Sequence, residues 1–229
     1  MIVVPQTWWT RHGPEMFLEN VRRILPQTGK VLDFGAGRGK YTGKGSMETL
    51  IDFRAPGREV TGFDVDEAVR QNPFLDRCAV GDGASALPFA DDTFDVIVSL
   101  AVFEHIADAG HTARELARVL KPGGWVCAVT PHEWSYVAVG SRLVPNRMHK
   151  AVLANLKIRR GGTDVFPTHY RMNTLAALAR LFPDFDDHSY LYSGTPSYTR
   201  GIALFAVAAK AWDRAIVGRS IHVFKRKRG

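Results

Sequence analysis

Between Lys30 and Tyr41 a short apolar run ends in an acid, Asp33, and is followed by glycines at alternate positions, Gly35, Gly37 and Gly39. Glycine at that spacing lets a backbone turn tightly and lets a ligand approach without meeting a Cβ atom. Further on, Asp64 closes a second apolar run in Gly62-Phe63-Asp64-Val65-Asp66, and a third acid stands in Gly81-Asp82-Gly83. An ionised carboxylate only accepts hydrogen bonds, which suits a strand-end acid to the paired hydroxyls of a sugar ring. Asp82 between glycines also fits an ordinary turn. Two histidines follow later apolar runs, His105 in Val102-Phe103-Glu104-His105-Ile106 and His132 in Thr130-Pro131-His132. Imidazole is suited to taking a proton from a hydroxyl near neutral pH. These residue types suggest capture of a nucleotide-like ligand beside a site of proton transfer.

Such residues need strands to bring them together. Hydrophobic periodicity predicts strands over residues 30–33, 59–63, 77–80, 94–99, 125–130, 185–191 and 221–225. Helices are expected over 14–26, 39–53, 66–71, 111–120 and 174–181, the fourth stopped by Lys121-Pro122-Gly123-Gly124. Residues 94–99 form the continuous apolar run of a strand buried on both faces. Strands alternating with helices at this pitch imply an α/β fold, a doubly wound, seven-stranded, mostly parallel Rossmann-like sheet. In such sheets ligands bind at the carboxyl ends of the strands, where the singled-out residues fall. One domain over 1–229 is expected, with a cofactor-binding core at 28–131 and a cap or acceptor insertion at 132–172. Residues 173–229 would form the C-terminal sheet edge with a helical insertion.

In this order the motifs resemble the class I S-adenosylmethionine-dependent methyltransferases, nearest the type 11 group that includes quinone-pathway enzymes. The resemblance covers residues 30–131. It rests on Asp33-Phe34-Gly35-Ala36-Gly37-Arg38-Gly39, on Asp64 at its strand end, and on Gly81-Asp82-Gly83 followed by Leu87-Pro88-Phe89. Phe94-Asp95-Val96-Ile97-Val98-Ser99 and Leu120-Lys121-Pro122-Gly123-Gly124 complete it. The resemblance implies S-adenosyl-L-methionine as cofactor. Its methionine half would meet the open turn at Gly35, Ala36, Gly37 and Gly39, including the backbone N–H groups and a helix N-terminus that favours its carboxylate. Asp33 would lie near its amino group, Asp64 and Val65 at the ribose, Asp82 and Gly83 at the adenine edge, and Ala101 and Val102 beside the sulfonium.

The implied activity is methyl transfer to a small-molecule or lipid- or glycan-linked acceptor, with a hydroxyl oxygen favoured and nitrogen or carbon left open. Aligning an acceptor with an already electrophilic methyl group removes about 7–11 kcal/mol of barrier. A base is required only for an acceptor protonated near neutral pH, and His105 and His132 are the candidates. His169-Tyr170 either lines the acceptor pocket or belongs to an ordinary ordered loop. Ser99-Leu100-Ala101-Val102 lacks the Asn/Asp-Pro-Pro-aromatic pattern of adenine N6 enzymes, and neither Cys78 nor Cys127 has the Pro-Cys setting of cytosine C5 enzymes. Two alternatives stay open: an NAD(P)-dependent oxidoreductase, although Lys40 stands where its third glycine belongs, and a non-catalytic S-adenosylmethionine-binding protein.

Composition narrows the partners. The chain has 229 residues, 45% hydrophobic and 23% charged, which suits a soluble globular protein with a full core. No membrane span, signal peptide, disulfide or metal cluster is expected, and a cytoplasmic location follows as the default. The net charge of +7 is concentrated late. Arg219, Lys225, Arg226, Lys227 and Arg228 fall in the last eleven positions, and the run 225–228 is read as the solvated end of the last strand. Nucleic acid is an unlikely partner because no aromatic residues interleave it. In the cap, Val144, Met148, Val152 and Leu156 recur at helical spacing opposite Arg147, Lys150 and Lys157. That stretch is either a cap helix with a solvated basic face or a peripheral contact with an anionic membrane surface. Residues 202–217 are read as helical, and Trp8-Trp9 as closing the pocket. Oligomeric state is left open.

Overall fold

Within residues 94–100, Val96, Ile97 and Val98 are apolar on successive positions because they run through the middle of a sheet that is covered twice. In this computed structural model, which describes residue 2 and residues 13–39, 51–135, 138–139, 166–192, 207, 211–212 and 220–228, residues 94–100 form strand β4 (Phe94–Leu100). Its side chains feed two cores alternately. Ile97 packs with Leu32, Leu116 and Val126 on one face, while Val96 and Val98 pack with Phe17, Val60 and Phe224 on the other.

Around it lie β1 (Gly29–Phe34), β2 (Arg58–Asp64), β3 (Arg77–Val80) and β5 (Leu120–Pro131), all parallel. Strands β6 (Phe185–Asp187) and β7 (Tyr190–Tyr192) both pair antiparallel with β8 (Ser220–Lys227), which is itself antiparallel to β5. The order is β3-β2-β1-β4-β5-β8-β6, with β7 also on β8. The order in which strands are added switches sides between the parallel neighbours β1 and β4, and the crevice at that switch is where a ligand fits this kind of sheet.

Helix α1 (Gly13–Ile24) buries Phe17, Leu18 and Val21 in one core. Helices α2 (Ala109–Val119) and α3 (Leu175–Leu181) bury Leu116, Val119 and Leu178 in the other. Both are started by side-chain caps: Asp108 Oδ1 accepts the His111 N–H at 2.9 Å, and Thr174 Oγ1 accepts the Ala177 N–H at 3.0 Å. Among the described residues no helix is long and apolar enough to cross a membrane.

Three expectations are corrected. The strand expected over 185–191 is two strands that share the place beside β8, so the sheet has eight strands among the described residues. Asp187 Oδ1 accepts the Ser189 N–H at 2.9 Å and Ser189 Oγ accepts the Phe224 N–H at 3.1 Å, so side chains take over part of the ladder there, while the His188 N–H still donates to the Phe224 carbonyl at 2.9 Å. Helix α2 does end at Val119, directly before Lys121-Pro122-Gly123-Gly124, but the strand expected from 125 starts at Leu120, with that segment as a bulge between the pairs Phe94↔Leu120 and Val96↔Trp125. Finally, the basic run is a solvated end only in part: Arg226 and Arg228 are exposed, but Lys225 and Lys227 turn inward. Lys225 is 1% exposed and pairs with Asp187 at 2.6 Å. Lys227 Nζ donates to the Ala117 and Leu120 carbonyls at 3.0 and 2.7 Å, closing the C-terminus of α2. Arg228 Nε meets Asp186 at 2.9 Å.

The helix expected over 39–53 falls mostly outside the described residues; Ile51 is helical and Asp52 and Phe53 are not. The amphipathic stretch 144–157, most of the helix over 202–217, Trp8-Trp9 and Arg219 also lie outside them. Cys127 is buried and Cys78 half-buried, and neither is bonded to the other.

Burial alone would lift Asp187, but the Lys225 ammonium and Ser189 outweigh it and hold the carboxyl below its usual range. Removing Asp187 strands a buried ammonium. Asp187→Ala should therefore cost about 2–3 kcal/mol in urea unfolding, at the low end of buried-pair losses because Asp187 is partly screened. Lys225→Met, which keeps the apolar stem and removes the charge, should cost about 1 kcal/mol or less.

Candidate active site

The glycine turn leaves β1 through residues with left-handed backbones, Gly35 at φ +78°, Gly37 at +49° and Gly39 at +68°. It is moored to the end of β2. Gly35 and Ala36 both donate their N–H to the Phe63 carbonyl, at 2.8 and 3.2 Å. Gly37 donates to Asp64 Oδ2 at 2.8 Å, while Asp66 donates to Asp64 Oδ1 at 2.9 Å. The expectation that these turn N–H groups face a ligand is thereby corrected for Gly35, Ala36 and Gly37, whose donors hold the turn to its neighbour strand. What the turn does offer is space. A Cβ at Gly37 would meet nothing within 4 Å, whereas one at Gly35 would lie 2.2 Å from Val102 Cγ2.

Asn72 braces the same turn and was missed in the sequence. It is buried, its Nδ2 donates to the Ala36 carbonyl at 3.0 Å, and its Oδ1 accepts the Phe74 N–H at 3.0 Å. A Cβ at Gly39 would stand 2.4 Å from that oxygen. The Asn72-Pro73 pair signals a turn, but nothing in it names the partner across the crevice.

Asp33 is the penultimate residue of β1 and Asp64 ends β2, on adjacent strands. Burial, and then repulsion from the Asp64 carboxylate, push the Asp33 carboxyl up to about 7. Asp82 is differently employed. Its carboxylate accepts the N–H groups of Ala84 and Ser85 at 2.9 and 2.7 Å and the Ser85 hydroxyl at 2.8 Å, bonds that hold it down at about 2. The exposed Asp82 thus shapes its own loop. Gly83 in that loop has φ +71°, and a Cβ there would lie 3.0 Å from Val65 Cγ1, so the loops after β2 and β3 touch. Val65 is 47% exposed.

After β4 the chain turns on Ala101, whose φ of +57° costs about 1 kcal/mol in a residue with a Cβ. Its N–H donates to the Val129 carbonyl at 2.9 Å, and the kink lays Val102 over Gly35. A short 3-10 turn, Phe103–His105, follows. His105 Nδ1 lies 2.8 Å from the Pro167 carbonyl oxygen. That oxygen can only accept, so Nδ1 bears a proton and the neutral ring has its lone pair on Nε2, which stands 4.0 Å from Glu104 Oε1. Phe166 packs edge-on against the ring at 6.0 Å.

His132, just beyond β5, has the opposite pattern. Its Nδ1 accepts the Trp134 N–H at 3.2 Å, which leaves the proton on Nε2. The side chain is buried, and burial pushes its pKa down against the opposing pull of Glu133. The loops that carry the two imidazoles are tied together. The Thr130 hydroxyl donates to Glu104 Oε2 at 3.0 Å, and Asn173 Nδ2 donates to Thr130 Oγ1 at 2.6 Å and to the Pro131 carbonyl at 2.8 Å. His169 and Tyr170 donate their N–H groups to the Glu104 carbonyl at 2.7 and 3.1 Å, which sets them in this ordered segment. The structure joins Asp33, the glycine turn, Asp64, Val65, Gly83 and Val102 by contact, and joins the loops of His105 and His132 through Glu104.

A family model described as a methyltransferase domain matches residues 9–186. The chain is 28% identical over 156 residues to a ubiquinone biosynthesis O-methyltransferase of Albidiferax ferrireducens, covering 61% of each chain. It is 32% identical over 121 residues to a malonyl-[acyl-carrier protein] O-methyltransferase of Methylococcus capsulatus, covering 50% of this chain and 42% of that one. The aligned region thus spans 42–61% of these relatives' own length. Among solved structures, geranyl diphosphate C-methyltransferase from Streptomyces coelicolor superposes with a TM-score of 0.56 at 18% identity, over 94% of this chain and 79% of that one. At that identity the likeness is one of fold.

The Asp33 shift has a sign that can be measured. Between the ordinary value of 3.8 and about 7 the folded chain holds a proton that the unfolded chain has lost. Stability should therefore fall as pH rises across that window, by something on the order of 4 kcal/mol, and level off above it. Urea unfolding from pH 4 to pH 8 should show this decline in the parent, and Asp33→Asn, a mimic of the protonated acid, should flatten it.

Proposed function

The chain belongs to the methyltransferase-domain family, and from that premise we propose that it methylates a hydroxyl oxygen of a small-molecule or lipid- or glycan-linked acceptor, using S-adenosylmethionine. The observation that carries this is the moored glycine turn, with open space at Gly37 where any other residue would place a side chain, at the switch point of the sheet. That cradle fits the methionine half of the cofactor. Asp64 spends one acceptor position on Gly37 and one on Asp66, and a carboxylate has about four such positions, so it keeps capacity for two ribose hydroxyls. Asp33 is the acid available to an ammonium group, which would draw it into its ionised form. Val65 and Gly83, in contact across two loops, supply a wall for the adenine.

When bound, the cofactor supplies a methyl carbon whose bond to sulfur breaks as the new carbon–oxygen bond forms. The chain's own part is to place the acceptor and take its proton. His105 is the better base of the two histidines because its hydrogen bond to Pro167 leaves Nε2 as an acceptor, while His132 has committed its acceptor nitrogen to Trp134. Residues 132–172 serve as the acceptor cap in this reading, and residues 1–229 act as one unit. The related enzymes named above include O- and C-methyltransferases, and the oxygen assignment here rests on the His105 tautomer.

Calorimetry with S-adenosylhomocysteine tests the cofactor. The parent should bind, and Asp64→Ala should weaken binding at least about tenfold, having lost both the ribose acceptor and the anchor of Gly37. Unchanged affinity would remove Asp64 from the site. Incubating extracts with isotope-labelled methyl donor should then yield a labelled ether or ester; binding without any labelled product would mark a non-catalytic protein. On the acceptor so found, His105→Ala should lower kcat by about 10²–10⁴.

A further inference from the structure

We propose that Asn72 is a positioning residue for cofactor binding: its side-chain amide and the Asp64 carboxylate clamp the two ends of the Ala36–Gly37 peptide and so keep the cradle at Gly37 open. This rests on the methyltransferase reading above and goes beyond it by naming a residue that acts through the turn from outside the motifs that build it.

Three observations carry it. First, a single peptide plane is held at both ends. Asn72 Nδ2 donates to the Ala36 carbonyl at 3.0 Å, and the N–H of the same peptide, that of Gly37, donates to Asp64 Oδ2 at 2.8 Å. The peptide group is flat, so two bonds pointing opposite ways fix its rotation. Turned over, it would set the Ala36 carbonyl against the Asp64 carboxylate, two acceptors with no proton between them. Gly37, at φ +49°, offers little resistance of its own to that rotation.

Second, the Asn72 amide has one orientation. Its Oδ1 accepts the Phe74 N–H at 3.0 Å, so Nδ2 is the end that faces the Ala36 carbonyl. Asn72 is 8% exposed, so water does not readily stand in for either partner. A Cβ at Gly39 would lie 2.4 Å from that Oδ1, so the amide is pressed against the turn itself.

Third, Asn72 is anchored to the strand that carries Asp64. It follows the short 3-10 helix Glu67–Gln71, and its N–H donates to the Val69 carbonyl at 3.1 Å. That helix is capped by Asp66, which accepts the Ala68 N–H at 2.8 Å and gives its own N–H to Asp64 at 2.9 Å. Downstream, the Asp76 carboxylate accepts the Val60 N–H at 2.7 Å, back on β2. Both clamps on the peptide therefore come from β2 and the segment tied to it.

The test uses the full chain, with S-adenosylhomocysteine calorimetry, urea unfolding and hydrogen exchange read by mass spectrometry. Asn72→Ser keeps an oxygen for the Phe74 N–H but has no donor long enough to reach Ala36. It should bind S-adenosylhomocysteine about tenfold more weakly, with a urea midpoint close to the parent's. Without ligand, its exchange should quicken over residues 35–37 and stay unchanged over β4. Asn72→Asp at pH 8, an acceptor only, should weaken binding at least as much, and it supplies the same readouts if the serine variant does not fold. Parent-like affinity in a folded variant overturns the proposal, and so does weaker binding with unchanged exchange over 35–37. Faster exchange throughout the sheet, or failure of both variants to fold, also overturns it, by marking Asn72 as general scaffolding. A parent that does not bind S-adenosylhomocysteine would instead defeat the methyltransferase reading, and exchange over 35–37 would still decide whether Asn72 holds the turn.

Discussion

The carboxylate of Asp64 is the group on which the site's shape depends. One oxygen takes the N–H of Gly37 and the other takes the N–H of Asp66, while the preceding carbonyl, Phe63, takes those of Gly35 and Ala36. A turn with left-handed residues has few ways to satisfy its own donors, and here the end of β2 satisfies them. Because β1 and β2 are paired from Gly29↔Arg58 to Phe34↔Phe63, the sheet register decides where that carboxylate stands. The arrangement has an electrostatic cost, since Asp33 is buried and stands near the Asp64 carboxylate, and burial first, then that repulsion, make it hold its proton more tightly. A cationic ligand group would relieve that cost.

The other half of the crevice is set by β4 and β5. Ala101 accepts an unfavourable backbone angle, and the return is that Val102 sits over Gly35 with no room for a side chain there. The strain is held by a hydrogen bond to Val129 on the next strand. Beyond it, Glu104, Thr130 and Asn173 join three separate stretches of chain in one buried network. Both imidazoles sit on loops whose positions follow from that network, and their opposite tautomers follow from two local backbone partners, Pro167 and Trp134.

Much of this was legible in the sequence, for physical reasons that differ from element to element. The alternation of apolar runs marks β1 to β5 because each is buried between two layers, and the spacing of glycines marks the turn because no other residue adopts those angles cheaply. Asp64 could be picked out as a strand-end acid, yet its hold on Gly37 could not, since that depends on the register between strands. The same holds for Asn72, whose partner Ala36 is distant in sequence. Lys225 was misjudged because a basic run at a strand end usually faces water. Here alternation turns Lys225 inward to Asp187, while Lys227 folds back on the carbonyls ending α2. Ser189, too, gave no sign that its hydroxyl would stand in for a backbone group and divide one strand into two.

The placement of β8 between β5 and the β6–β7 pair bears on how the chain reaches this state. Trp125 pairs with Arg226, so a central rung of the sheet joins segments made far apart during synthesis. Until β8 emerges from the ribosome, β5 has a naked edge with its amide and carbonyl groups unpaired, flanked by the apolar residues of both cores. Closing so long a loop before any ladder energy is recovered makes for slow maturation. During that interval the nascent α/β half is the species most open to illicit strand pairing, and the one on which chaperones would act.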